Sequence, residues 1–259
     1  MPYAEGRIIH DADSHIMETP DWIQGYVEPR YREHVRPHTQ RLQYVAEKVA
    51  EAKRLQEDPH WRAGDASQIM LRKNWSALGA FQREDRPRAL DLMGFATQLV
   101  FNTSLNEFLN LLEHGDDLDL AYAAARAHNR AMVDFCAPDP RLLSTGYVPL
   151  ADPARAVAMA GEAIAQGCRS LLVASACPKD HSPSHISLDG VWAQAQEAGL
   201  PILFHVGGGG RLLDPQYFNN GLPPVPDFHG GDENFRSVDY MAIPGPPMQT
   251  LATLIFDGV

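Results

Sequence analysis

The chain is short of the features that mark several protein classes. Its 259 residues hold only three cysteines, Cys136, Cys168 and Cys177. An odd number without the paired spacing of zinc sites points to reduced thiols and a cytoplasmic protein, with no disulfide framework. Positive charge is scarce too, since 22 Lys and Arg against 33 Asp and Glu leave a net charge of −11. Nucleic acids and anionic membrane surfaces both need a basic face, so neither is an expected partner. No run approaches the ~20 apolar residues of a membrane span. The opening Met1-Pro-Tyr-Ala-Glu-Gly-Arg7 lacks the apolar stretch of a secretory leader, so none is expected. Internal repeats and low-complexity tracts are absent. No Gly-x-Gly-x-x-Gly turn follows a strand, and no Lys-Ser/Thr pair follows Gly207–Gly210, so an open sheet binding a nucleotide is the weakest reading. Those four glycines could present N–H groups to an anion. A turn that lets the chain leave a strand end accounts for them better.

What is present is an alternation of short apolar runs with helical patterns. At 44% apolar the chain can bury a full core, and a single β/α barrel of ~250 residues would use all of it. A first strand at about 7–12 is followed by a charged excursion over 16–96, an insertion in which Thr39 to Glu57 reads as a helix. Thr97–Asn102 is the second strand. Asp117 to Ala137 is an Ala-rich helix ended by Pro138, with Tyr122 and Met132 as core residues. Leu143–Val148 is the third strand. Asp152, Pro153 and Gly167 then bracket a helix as cap, first-turn proline and left-handed exit. Arg169–Val173 is a strand, Asp189 to Ala198 a helix closed by Gly199, and Pro201–Val206 the fifth strand. Pro247 to Phe256 is one more helix. Such alternation argues for parallel βαβ units with right-handed crossovers.

A closed barrel needs eight strands. Three further units would take roughly 90 residues, whereas 54 follow His205 and about 40 of those form a Gly/Pro-rich loop over 207–246. The expected fold is therefore an α/β, TIM-barrel-like chain of one domain, 1–259, missing its last strands and carrying a helical insertion after strand 1. Five strands would leave an exposed sheet edge, an association hazard unless covered, and a homodimer is one way to cover it.

Strand C-terminal ends are where barrel chemistry sits, and two of them carry metal-ligand residue types. In Ile8-Ile-His-Asp-Ala-Asp-Ser-His15, side chains two apart share a face, so Asp11, Asp13 and His15 are expected in one mouth. His205 ends the run Pro201-Ile-Leu-Phe-His205. Carboxylate plus imidazole suits Zn²⁺, Mn²⁺ or Fe²⁺, and three protein ligands leave the open position a catalytic site needs. Alone, Asp13-x-His15 would read as a capped turn and His205 as a core histidine. Together, at matching strand ends, they read as one metal site. Asn102 and Thr103 end strand two and are candidate substrate contacts. His181 and His185 lie in the loop after strand four and are candidates too, against the plainer reading of a mobile polar loop. Cys136 and Cys177 have no neighbouring base in sequence and are assigned no nucleophilic role.

Asp11-Ala-Asp-Ser-His15 resembles the Asp-x-His-x-His opening of the amidohydrolase superfamily. It is most similar to the amidohydrolase-related branch that includes aminocarboxymuconate-semialdehyde decarboxylase. Gly94–Thr103, His128-Asn129, Pro140-Arg141, Gly146–Pro149 and Pro201–Gly208 are similar to segments of that branch in the same order. Asp13 stands where the first His of the motif would be, as an acidic residue does in some decarboxylases of the branch. The resemblance implies one divalent metal ion, Zn²⁺ first and Mn²⁺ next, held by Asp13, His15 and His205. It also implies that a catalytic sixth-strand His and a final metal-binding Asp are absent from this chain, so the general acid/base has no candidate. The expected function is a metal-dependent hydrolase or non-oxidative decarboxylase acting on a small carbocyclic or aromatic carboxylic acid, or a related ester or lactone. The alternative is a catalytically impaired, shortened barrel serving as a binding scaffold.

Overall fold

Five parallel strands lie side by side in the order of the sequence. They are β1 (His10–His15), β2 (Thr97–Phe101), β3 (Leu142–Tyr147), β4 (Ser170–Val173) and β5 (Ile202–Phe204). The structure, a computed structural model, describes residues 2–35, 39–206, 215–219, 221 and 242–259. Between β1 and β2 runs a helical insertion with α1 (Thr39–Glu57), α2 (Pro59–Ala63), α3 (Asp65–Gln68) and α4 (Arg86–Met93). The later crossovers carry α5 (Ser104–Glu113) and α6 (Leu118–Cys136), then α7 (Pro153–Gln166), then α8 (Asp189–Ala198). A last helix, α9 (Gly245–Asp257), follows β5. Gly207–Gly210 and most of the 207–246 loop lie outside the described residues, so the anion-cradle reading has no structural counterpart here. Among the described residues no helix is long and apolar enough to cross a membrane.

Local chemistry explains where the helices begin and end. The Asp152 side chain accepts the Arg155 N–H, Pro153 takes the first turn, and Gly167 leaves α7 at φ 100°. A helix start frees N–H groups that such a cap satisfies, and only glycine enters the left-handed region without steric cost. Asp117 caps α6 through the Leu120 N–H. Along α6, Ala121, Ala124, Ala127 and Ala131 are buried, and their small side chains let the helix lie close against β3. Tyr122 Oη is 2.9 Å from each of the Pro149 and Asp152 carbonyls, so α6 is also tied to the entry of α7.

The first strand differs from the sequence expectation. It runs over His10–His15 and not 7–12, because Ile8 is 83% exposed and the polar residues after it make the ladder to β2. Apolar content is a poor guide at this strand, which among the described residues pairs on one side only. The ladder also slips. Asp11 faces Gln98 but Ser14 faces Val100, three steps on β1 against two on β2. That extra residue is a β-bulge, which re-aims the side chains beyond it. The Asp11 carboxylate therefore stays outside the Asp13–His15 donor cluster, its Oδ1 accepting the Asp13 backbone N–H at 3.1 Å, a correction to the shared mouth expected above. It accepts an N–H from the Gln98 amide, whose oxygen accepts from the buried Arg86 of α4.

The sheet is strongly curled. With strands ~4.8 Å apart, a flat five-stranded sheet would hold its outer strands about 19 Å apart. Yet His15, ending β1, and His205, just past β5, have Nε2 atoms 3.0 Å apart. The architecture is a half-barrel whose outermost strands aim side chains across the open bowl at one another.

Candidate metal centre

Three side chains meet at the strand ends. Asp13 Oδ1 lies 3.2 Å from His15 Nε2 and 3.5 Å from His205 Nε2. One donor atom from each residue falls within 4.8 Å of the others. Asp13 is 76% exposed to the bowl, while the two imidazoles are mostly covered. Phe101 packs under both rings, 5.8 Å from His15 and 5.3 Å from His205 between centroids. It closes the approach from the sheet side.

Each ring is held by its other nitrogen. His15 Nδ1 is 3.0 Å from the Asn102 carbonyl and 3.1 Å from Thr103 Oγ1. Thr103 Oγ1 gives its own proton to the Ile16 carbonyl at 2.6 Å, so it meets the ring as an acceptor. A carbonyl can only accept, which places the proton on His15 Nδ1. His205 Nδ1 lies 2.7 Å from the Val206 carbonyl, and the same argument applies. With both Nδ1 atoms protonated, the two Nε2 lone pairs point at each other. At 3.0 Å they repel unless a cation or a proton lies between them. Where a proton and not a cation lies there, the Nε2–H groups of His15 and His205 donate to Asp13 and hold its carboxyl well below the usual range, outweighing burial. Burial works to lower the His205 pKa, but the Asp13 carboxylate and the Val206 carbonyl prevail and raise it. This donor set of one carboxylate and two Nδ1-anchored imidazoles fits a divalent transition metal.

The other candidates fall elsewhere. Asn102 contributes its carbonyl to the site, but its side chain is buried against His128. That corrects the expectation that it faces substrate. His181 and His185 pack on each other with centroids 5.5 Å apart. Nδ1 of His185 accepts the Ser187 N–H, and Ser184 between them bonds to Asp257 of α9. The loop is thus fastened to the last helix, and neither histidine bonds to the three-residue cluster among the described residues. Thr103, expected with Asn102 at the substrate mouth, instead braces His15. One group escaped the sequence reading: the Glu18 carboxylate accepts N–H groups at the start of α5. Only its position three residues past His15 hinted at it. A separate cleft of about 570 Å³ opens between α1 and α6, lined by Trp22, Val49, Phe81 and Phe135 among others, and no candidate ligand borders it.

The sequence profile of a family described as amidohydrolase matches residues 104–249. Among solved structures, an amidohydrolase from Mycobacterium avium subsp. paratuberculosis K-10 superposes with a TM-score of 0.62 at 20% identity, over 98% of this chain and 69% of its own. A 5-carboxyvanillate decarboxylase from Novosphingobium aromaticivorans DSM 12444 was solved with manganese and 4-hydroxy-3-methoxy-5-nitrobenzoic acid. It aligns with a TM-score of 0.49 at 18% identity, over 83% of this chain and 55% of that one. No curated protein matches the chain. At these identities the first likeness shows a shared fold.

Proposed function

The chain belongs to the amidohydrolase family, and on that premise we propose that Asp13, His15 and His205 hold one divalent cation in a hydrolase or non-oxidative decarboxylase. The substrate is a small carbocyclic or aromatic carboxylic acid, or a related ester or lactone. One observation carries this reading: two Nδ1-anchored imidazoles aim their Nε2 atoms at each other, 3.0 Å apart, beside a carboxylate held ionised. Zn²⁺ is the first assignment and Mn²⁺ the second, since both take imidazole and carboxylate donors.

When bound, such a cation supplies Lewis acidity for polarising a substrate oxygen. The protein's own groups do the rest. Asn102, Thr103 and Val206 fix the Nδ1–H tautomers, so the Nε2 lone pairs stay available. Asp13 brings negative charge that offsets part of the cation's, and Phe101 keeps water from the sheet side. Three donors leave the bowl side for a substrate carboxylate or carbonyl. Apart from Asp11, whose Oδ1 accepts the Asp13 backbone N–H at 3.1 Å, no further titratable side chain bonds to the three among the described residues, and proton transfer has no assigned residue.

The test is metal content. Purified protein is expected to retain a divalent transition metal, and His15→Ala and His205→Ala are each expected to lower occupancy by ~10-fold or more. Elemental analysis showing equal metal in wild type and both variants overturns the site. Incubation with carboxylated aromatics and with simple lactones then separates the reactions, by CO₂ release or by acid release.

A further inference from the structure

We propose that Glu18 is a positioning residue for His15, acting through the turn that joins β2 to α5. The inference rests on the reading of His15 as a metal ligand and extends it to a group outside the cluster. Glu18 is 7% exposed, and no cation pairs with it among the described residues. Its Oε1 instead accepts the N–H groups of Thr103 at 2.6 Å and Leu105 at 3.4 Å, and its Oε2 that of Ser104 at 3.1 Å. A buried carboxylate without a counter-ion is expensive, so this arrangement needs a reason.

The reason lies in what Thr103 does. It is the cap residue of α5, yet its side chain makes no capping bond. A threonine there would ordinarily satisfy the free N–H groups of the first turn. In this chain its hydroxyl is diverted, giving its proton to the Ile16 carbonyl and facing His15 Nδ1. Glu18 takes over the capping and so frees Thr103 to hold the imidazole. The same clamp fixes the peptide whose Asn102 carbonyl is the second partner of His15 Nδ1. The insertion secures Glu18 in turn: Trp75 Nε1 donates to its carbonyl at 3.4 Å, and the Met17 N–H reaches the Ala80 carbonyl at 2.8 Å. A path of hydrogen bonds thus runs from the insertion through Glu18 and Thr103 to a ring nitrogen of His15.

The experiment compares Glu18→Ala, Glu18→Gln and Thr103→Val with wild type, and uses Glu113→Gln as a control. Glu113 is another buried carboxylate, bonded to Tyr147 and to the Leu150 N–H. Two readouts are taken. In metal-free protein, long-range ¹H–¹⁵N spectra report which ring nitrogen of His15 carries the proton. In chelator competition, Zn²⁺ affinity is measured directly. Wild type is expected to show His15 Nδ1 as the N–H nitrogen. Glu18→Ala and Thr103→Val are expected to give mixed tautomers and a ~10–100-fold loss of affinity, the range for removing a group that orients a ligand. Glu18→Gln retains one acceptor oxygen and is expected to recover part of both. Glu113→Gln is expected to lower stability while moving neither readout. Wild-type tautomer and affinity in folded Glu18→Ala overturn the proposal. If Glu18→Ala does not fold, an unchanged His15 spectrum in Thr103→Val overturns it instead. Wild type that binds no metal defeats the metal reading alone, because the tautomer readout still judges the clamp.

Discussion

At the scale of single residues, His128 shows how a hydrogen-bond network sets a protonation state. Its ring is fully buried, with Nδ1 3.0 Å from Asn129 Oδ1. That oxygen also accepts the Tyr147 N–H at 2.7 Å, so it is an acceptor and the histidine carries its proton on Nδ1. Nε2 then needs a donor. The Asn102 amide faces it, and the amide nitrogen of Asn102 is buried without a partner while its oxygen sits 3.2 Å from Nε2. A half-turn of that amide gives the neutral ring its donor and satisfies the stranded nitrogen. Burial depresses the His128 pKa to about 4, only partly offset by the bond to Asn129. The unfolded chain takes up a proton near pH 6.5, the folded one only near 4. The histidine's contribution to stability is therefore complete above about pH 6.5 and is lost as pH falls toward 4. Between pH 7 and pH 5 the expected loss is about 2 kcal/mol. His128→Gln cannot titrate, so its unfolding free energy from urea melts should fall less than wild type's over that interval. Glu18 and Glu113, whose pKa values burial raises, act in the opposite sense, but they are common to both proteins and cancel in the difference. Equal slopes for the two would mean His128 is not the buried neutral group described.

At the scale of elements, close approach decides which substitutions are tolerated. Gly146 lies in β3 where a Cβ would sit 2.8 Å from Cys168 Sγ, 3.1 Å from Cys168 Cβ and 3.2 Å from Ala163 Cβ. Ala163 belongs to α7, so the missing side chain is what lets helix and strand pack this closely. Gly146→Ala is expected to cost about 1–3 kcal/mol, as overpacked cores do. A urea midpoint unchanged at constant m-value would show that the neighbours yield freely. These contacts were not legible in the sequence, where Gly146 is one residue of the run Leu143-Ser-Thr-Gly-Tyr-Val148. The helix ends of α7 and α8 were, because Asp152, Pro153, Gly167 and Gly199 act within a few residues of themselves. Helix α5 was legible too, through Leu105, Phe108, Leu109 and Leu112 at helical spacing, but the reading passed over it for the strand end before it. For β1 the sequence misled. Ile8 and Ile9 drew the strand three residues too early, and a bulge is set by the ladder to β2, which no local pattern encodes. Asp13, His15 and His205 could be paired from the residues because strand ends share one mouth in any β/α barrel. The clamp by Glu18 depends on a turn 85 residues away, and local spacing carries no trace of it.

At the scale of the whole molecule, the candidate site joins the two strands that the sheet keeps farthest apart. Among the described residues β1 and β5 each pair on one side only, so their outer backbone groups depend on the curl and on what crosses the bowl. Across it run the contacts of Asp13 and His15 with His205, while α9 is fastened to the β4 end through Thr250 Oγ1 and the Ser175 carbonyl. A cation held by all three residues would add a tie between the outer strands. Binding to the folded state alone stabilises it by about 2.7 kcal/mol at a free metal concentration 100-fold above Kd. We predict that Zn²⁺ or Mn²⁺ raises the melting temperature of metal-stripped protein, and that His205→Ala abolishes the rise. Local opening should respond unevenly. Amides of β1 and β5 are expected to exchange more slowly once metal is bound, whereas those of β3, with a strand on each side, should change least. Hydrogen exchange followed by mass spectrometry of peptides covering 10–15, 142–147 and 202–204 measures this directly. Slowing of the β3 peptide as large as that of the two outer ones would mean the metal stabilises the fold globally without bridging its edges. A melting rise that persists in His205→Ala would place the metal somewhere other than between the strands.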